Sequence, residues 1–175
     1  GHTLQFIPAS QEKPIVLYGT SIAQGACASR PGMAFGNIIG RKTEHPVVNL
    51  GFSGNGQMEP EVFDLLAEID ARLFILDNMP NMGGDRAPKI YDRTINGVHT
   101  IRKKTNAPIL FVEHYTISHI GSSIEEEQNY KKLNLSFRKA YRALKEEGVQ
   151  NLYYLSEEEM GLHQDCSVEG WHPND

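Results

Sequence analysis

Residues 61–76 read Glu-Val-Phe-Asp-Leu-Leu-Ala-Glu-Ile-Asp-Ala-Arg-Leu-Phe-Ile-Leu, and this stretch decides the fold class. Val62, Leu65, Leu66 and Ile69 recur at helical spacing, so a helix over 61–69 has one apolar face. Leu73-Phe74-Ile75-Leu76 is then a short continuous apolar run closed by Asp77-Asn78, which suits a strand buried on both faces. The alternation continues in both directions. Strand-like runs fall at 14–18, 47–50, 108–112 and 152–155, and helical patterns at 32–42, 90–103 and 125–146. Strands alternating with amphipathic helices imply a parallel sheet with right-handed crossovers. The expected fold is a three-layer α/β/α sandwich of about five parallel strands, flavodoxin-like in class. Without repeats, low-complexity tracts or a linker, residues 1–175 read as a single domain.

Charge and composition exclude several functions. With 22 acidic against 17 basic side chains the formal charge is −5, which argues against nucleic-acid binding through a concentrated basic face. The densest basic cluster, Arg102-Lys103-Lys104, reads as the solvated end of a helix. A chain with 39% hydrophobic and 22% charged residues is neither disordered nor low in complexity. The longest apolar runs, Leu73-Phe74-Ile75-Leu76 and Ile109-Leu110-Phe111-Val112, fall far short of the ~20 residues of a membrane span, so none is expected. Cys27 and Cys166 are too few for a disulfide framework or a four-thiolate zinc site, and a single bridge between them is left open. Gly1-His2 without Met and the stop at Asn174-Asp175 are expected of a chain trimmed at both ends. Localisation and oligomeric state are open at this level.

Ligands of parallel α/β sheets sit outside the carboxyl ends of the strands, so the segments after the apolar runs hold the candidate chemistry. Ser21 follows the first run and reads either as an N-cap or turn serine or as a nucleophile near a helix that starts a little later. Glu169 and His172, three residues apart, read either as a surface pair or as a base with its orienting carboxylate. Gly54 and Asn81 are turn residues by type, and both also carry N–H groups suited to an oxyanion. His163, Asp165, Cys166 and His172 crowd together but match no common zinc spacing, and Gly54-x-Gly56 lacks the third glycine of a dinucleotide fingerprint. His114 and His119 are either ordinary loop histidines or substrate contacts. Trp171 either pins its loop or offers a stacking platform, and Met33, Met58, Met79 and Met82 are either gap-fillers or an apolar rim.

Taken in order, these segments resemble the sequence blocks of the SGNH hydrolases, also called the GDSL esterase/lipase family. Gly19-Thr20-Ser21-Ile22-Ala23-Gln24-Gly25 is similar to the first block and Asn49-Leu50-Gly51-Phe52-Ser53-Gly54 to the second. Asn81 in Met79-Pro80-Asn81-Met82 matches the third block's asparagine, with Asn78 as the alternative, and Glu169-Gly170-Trp171-His172-Pro173 is similar to the fifth, Asp-x-x-His-Pro. The chain departs from the pattern in three places. Thr20 replaces the usual Asp, the third block has Met79 and Met82 where Gly and an acid are usual, and Glu169 replaces Asp. The family also normally continues past His-Pro into a last helix packed on the sheet. The sequence ends before it, so an exposed core edge is expected.

The resemblance implies a serine esterase with Ser21 as nucleophile, His172 as base and Glu169 as its orienter. Gly54 and the Asn81 carboxamide would serve as oxyanion donors, and no cofactor or metal is required. It further implies a small-molecule ester or acylated-carbohydrate substrate. The absence of a long amphipathic lid favours short acyl groups, acetyl above all, on a carbohydrate or other small alcohol. A secreted or periplasmic setting is favoured if the substrate is an acylated glycan. Two alternatives stand beside this: an SGNH-fold module that binds a glycan or acylated ligand without turnover, and a flavodoxin-like flavin binder.

Overall fold

In the computed structural model, which describes residues 4–6, 8, 10–115, 124–162, 164–168 and 172–174, five parallel strands form one sheet in the order β2-β1-β3-β4-β5. The strands are β1 (Ile15–Gly19), β2 (Val47–Gly51), β3 (Leu73–Asp77), β4 (Ile109–Val112) and β5 (Leu152–Leu155). The helices are α1 (Ser21–Gln24), α2 (Phe35–Thr43), α3 (Pro60–Leu66), α4 (Ile90–Arg102), α5 (Ile124–Glu146) and α6 (Glu157–Met160). The three-layer α/β/α expectation therefore stands. No described helix is long and apolar enough to cross a membrane.

The two faces of the sheet are covered unequally. Val16, Tyr18, Phe74, Leu76, Ile109 and Phe111 enter the larger core with Phe63 and Leu66 of α3, Val98 and Ile101 of α4, and Leu133, Phe137 and Leu144 of α5. The α5 positions lie at helical spacing, which is why a helix with so many charges docks there. Burying each large side chain of this set contributes about 1.5–3 kcal/mol. On the opposite face Ile15, Leu17, Ala23 and Ile75 form a smaller cluster under Phe35 and Ile39 of α2. Beside it lies a cavity of about 600 Å³ lined largely by apolar side chains, among them Ile39, Leu110, Val112, Leu155 and Met160.

Several sequence expectations need correction. The helix after β1 begins at Ser21 itself, because buried Thr20 turns its side chain to accept from the Ile22 N–H. The expected helix over 32–42 is split: Pro31–Met33 forms a 3-10 turn and α2 starts at Phe35. The outer strands β2 and β5 are only partly buried, since each has a neighbour on one side. Arg102 is no solvated helix end. Its guanidinium donates to the carbonyls of Ala107 (2.9 Å), Gln150 (3.0 Å) and Asn151 (3.3 Å), joining the end of α4 to the segments that enter β4 and β5.

Register explains where the candidate chemistry converges. Gly19 at the end of β1 pairs with Gly51 of β2 on one side and with Asp77 of β3 on the other. Three strands thus finish in line, and the segments carrying Ser21, Gly54 and Asn81 leave the sheet side by side. The order reverses at β1, whose neighbours are β2 and β3, and such a switch point opens a crevice.

Candidate active site

Ser21 is the first residue of α1, a single turn closed by Gly25, so its position follows directly from the end of β1. First-turn N–H groups have no acceptor within the helix. Contacts on either side of His172 hold its backbone. Ser167 and Pro173 form an antiparallel bridge, the Val168 N–H donates to the His172 carbonyl at 3.0 Å, and Asn174 is tied through its N–H to Cys166 O (2.9 Å) and through its amide to Asp165 O (2.7 Å). The result is a Ser21 Oγ to His172 Nε2 distance of 2.8 Å, between two half-buried side chains 151 positions apart in sequence.

The segment after β2 folds over the end of β1. Phe52 N–H donates to Gly19 O at 3.0 Å, and the N–H groups of Asn55 and Gly56 return to Phe52 O at 3.0 and 2.9 Å. Gly54 lies at φ +73°, a conformation costly for a side-chain-bearing residue. At Gly56 an added Cβ would meet Gly19 O at 1.9 Å, so only glycine permits this contact. The Asn81 carboxamide lies against the same loop. One of its ends is 3.3, 3.2 and 3.2 Å from the nitrogens of Gly54, Asn55 and Gly56; oxygen belongs there, because nitrogen would set donor against donors. Asn78, the alternative to Asn81, is fully buried and donates to Gly56 O at 3.1 Å, which makes it a support for the loop.

Behind the pair lie buried ionisable groups that the sequence reading passed over or left open. His114 is buried, with its ring centroid 5.1 Å from that of Tyr115 and 4.3 Å from that of Tyr130. Its backbone is clamped by Asn134 of α5, which accepts from the His114 N–H (3.0 Å) and donates to its carbonyl (2.7 Å). Burial, with the charge of His172 added to it, draws the His114 imidazole down to about 3, so it is neutral at pH 7. Asp77, at the end of β3, is pushed up to about 8 by burial. Glu113 is buried as a carboxylate and fully engaged. It accepts from Arg138 Nε and Nη2 at 2.9 Å each, from the Tyr154 hydroxyl at 2.5 Å and from the Glu157 N–H at 3.0 Å. An acid closing an apolar strand run, as at Asp77 and Glu113, was the available signal.

The remaining candidates sort as follows. Met58, Met79 and Met82 are fully buried gap-fillers, and Met33 lines the large cavity. Cys27 and Cys166 are not joined in a disulfide, and Cys27 shares with His172 a recess of about 40 Å³ lined also by Ala26 and Ala28. Glu169, Trp171, His119 and His163 lie outside the described residues.

This sheet order, with a Ser–His pair beyond the carboxyl ends of the strands, defines the SGNH-hydrolase type of α/β domain. Sequence comparison supplies the family. The profile of the GDSL-like lipase/acylhydrolase family matches residues 12–175, and the chain belongs to that family. Among solved structures it is similar to a protein from Bacteroides ovatus described as a GDSL-like lipase, with 39% identity and a TM-score of 0.85 over 93% of this chain and 48% of that one. It is also similar to the salicylyl-acyltransferase SsfX3 of a tetracycline biosynthetic pathway (20% identity, TM-score 0.79, 95% of this chain and 51% of that one). A third is a two-domain esterase active on acetylated mannans (17% identity, TM-score 0.65, 93% of this chain and 44% of that one). The chain thus spans about half the length of these structures. No curated protein matches it.

Proposed function

We propose that the chain is a serine esterase that cleaves short acyl esters, acetyl esters foremost, of a carbohydrate or other small alcohol. The observation that carries this is the 2.8 Å separation of Ser21 Oγ and His172 Nε2 at the carboxyl ends of the strands. With the ring proton on Nδ1, the Ser21 hydroxyl donates to Nε2 and is activated for attack. Ser21 Oγ adds to the ester carbonyl as its proton passes to His172. The tetrahedral intermediate collapses when His172 returns that proton to the departing alcohol, leaving an acyl-serine. Water then attacks with the same proton traffic, releasing the carboxylic acid and restoring Ser21.

The oxyanion is assigned to the N–H groups of Ser21 and Gly54 and to the Asn81 carboxamide. The 3.2–3.3 Å contacts between Asn81 and the loop are long for hydrogen bonds, so they exchange readily for shorter, charge-assisted bonds to an oxyanion. Glu169 is assigned as orienter of His172 on its spacing and its place in the fifth block. The acetyl-carbohydrate choice draws on the mannan-active relative and on the small side chains, Ala26, Cys27 and Ala28, around the recess at His172.

The test is hydrolysis of p-nitrophenyl acetate by the parent, Ser21→Ala and His172→Ala, with circular dichroism to show that all three are folded. Activity in the parent that collapses in both variants is expected. A folded, inactive parent favours the ligand-binding alternative, and rates that rise from acetyl to decanoyl esters would replace the short-acyl assignment.

A further inference from the structure

The loop that presents Gly54 is held in a conformation its sequence does not prefer. Met58, a long unbranched residue, sits at φ +57° with its side chain fully buried. Residues in such regions persist only where the surroundings over-determine them, and they concentrate at functional sites. Here the surroundings are a closed polar ring. The Tyr18 hydroxyl donates to Glu59 Oε2, the Glu59 N–H donates back to the Tyr18 oxygen at 3.3 Å, and the Gln57 N–H donates to the same Oε2 at 3.0 Å. Gln57 in turn reaches Gly54 O through its side-chain amide at 3.0 Å, and its own carbonyl accepts from Arg93 Nη1 of α4 at 2.5 Å. One carboxylate therefore joins the penultimate residue of β1, three positions before Ser21, to the turn that carries Gly54. Aromatic packing fixes the other end, since Tyr18 stands edge-on to Phe52 and Phe63 with ring centroids 6.2 and 5.8 Å away.

We propose that Glu59, gripped by Tyr18, is a positioning residue that holds the Gly54 N–H at the reacting centre. The inference rests on the esterase reading. Glu59 touches no reacting atom in this scheme; it acts through Gln57 and the loop backbone. Donors aimed at developing charge contribute through being held in place before the reaction, so loosening the loop lowers kcat more than it raises KM. The requirement is for an acceptor and not for a charge, because both bonds to Oε2 come from neutral groups.

The test compares the parent with Glu59→Ala, Glu59→Gln and Tyr18→Phe, using steady-state kinetics on p-nitrophenyl acetate together with amide hydrogen exchange. In Glu59→Ala, kcat is expected to fall about tenfold or more, short of the roughly 10²–10³ for removing a donor outright. KM is expected to stay within about threefold, and Glu59→Gln to keep kcat within about threefold of the parent. Exchange at Gly54 to Gln57 is expected to quicken about tenfold or more in Glu59→Ala with the α4 amides unchanged. If Glu59→Ala does not fold, Tyr18→Phe, which removes one hydroxyl, is read by the same two measures. An unchanged kcat, unchanged exchange in that loop, or a Glu59→Gln variant as impaired as the alanine overturns the proposal and leaves the esterase reading intact. A folded parent without activity overturns both.

Discussion

Replacing Glu113 by alanine is the sharpest test of how the region behind the site is held. The Glu113 side chain is 0% exposed, and it gathers Arg138 of α5, Tyr154 of β5 and the first N–H of α6 onto the end of β4. Removing one partner of a buried ion pair costs about 3–5 kcal/mol, because the other charge is left uncompensated. Arg138 is 31% exposed and turns partly to water, which moves the figure to the lower end. The Tyr154 hydroxyl and the Glu157 N–H are also orphaned, and the expected loss is about 3–4 kcal/mol. For a domain of this size that is a fall in Tm of roughly 6–16 °C. Glu113→Gln is expected to cost less, since its carboxamide oxygen keeps two of the four accepted bonds and the Tyr154 hydroxyl can reverse to accept. Urea unfolding followed by circular dichroism reads both variants, with an unchanged slope showing that the unfolded reference is the same. A loss below about 1 kcal/mol for the alanine, the range of an exposed pair, or a larger loss for the glutamine, would refute the account of Glu113 as a satisfied buried carboxylate.

Three further outcomes follow from named contacts. Asn81→Ala is expected to lower kcat by about 10²–10³ with the fold intact, whereas Asn78→Ala should show first as a lower Tm, because Asn78 supports Gly56 from beneath; kinetics beside thermal melts separate the two. Asp77→Asn is expected to gain stability over the parent as pH rises. The folded carboxyl titrates at about 8 and the unfolded one at 3.8, so between those values the unfolded chain releases a proton that the folded chain keeps, and parent stability falls with rising pH while the amide's does not. Melts from pH 5 to 8.5 would contradict this if the Tm difference did not grow. Gly56→Ala is expected to destabilise by about 1–3 kcal/mol or more, since its Cβ would lie 1.9 Å from Gly19 O, and urea midpoints measure that loss.

Elements with strong local signals were legible in the sequence. The apolar runs located all five strands to within a residue at either end; the central strands, covered on both faces, have no polar face to confuse the pattern. Ser21 and His172 were legible by type and block order, yet their 2.8 Å contact is a tertiary fact that no local pattern contains. What escaped notice had signals of other kinds. α1 is a single turn, too short for periodicity, and is declared by one Thr20 side-chain bond. Arg102 looked solvated because its carbonyl partners lie up to 49 positions away. Nothing local to Glu59 or Glu113 names a partner, because Tyr18 and Arg138 reach them from 41 and 25 positions away, through β1 and α5.

The two halves of the candidate dyad are held in different ways, and this bears on how the site is kept together. Ser21 leaves β1, which has strands on both sides, so moving it means disturbing the centre of the sheet. Among the described residues, the segment that carries His172 pairs with itself through the Ser167–Pro173 bridge and the bonds of Val168 and Asn174. Local opening free energies run from near zero at weakly tied segments to the global value in core strands. Ser21 and the Gly54 loop, locked to β1 through Tyr18 and Gly19, belong to the upper end of that range, and the 2.8 Å contact joins them to the histidine segment. Buried, neutral His114 stands behind it and, in the proposed reaction, would add no second positive charge next to a His172 imidazolium. In the proposed reaction the unit formed by Ser21 and the Gly54 loop presents the nucleophile and the assigned oxyanion donors without reorganisation.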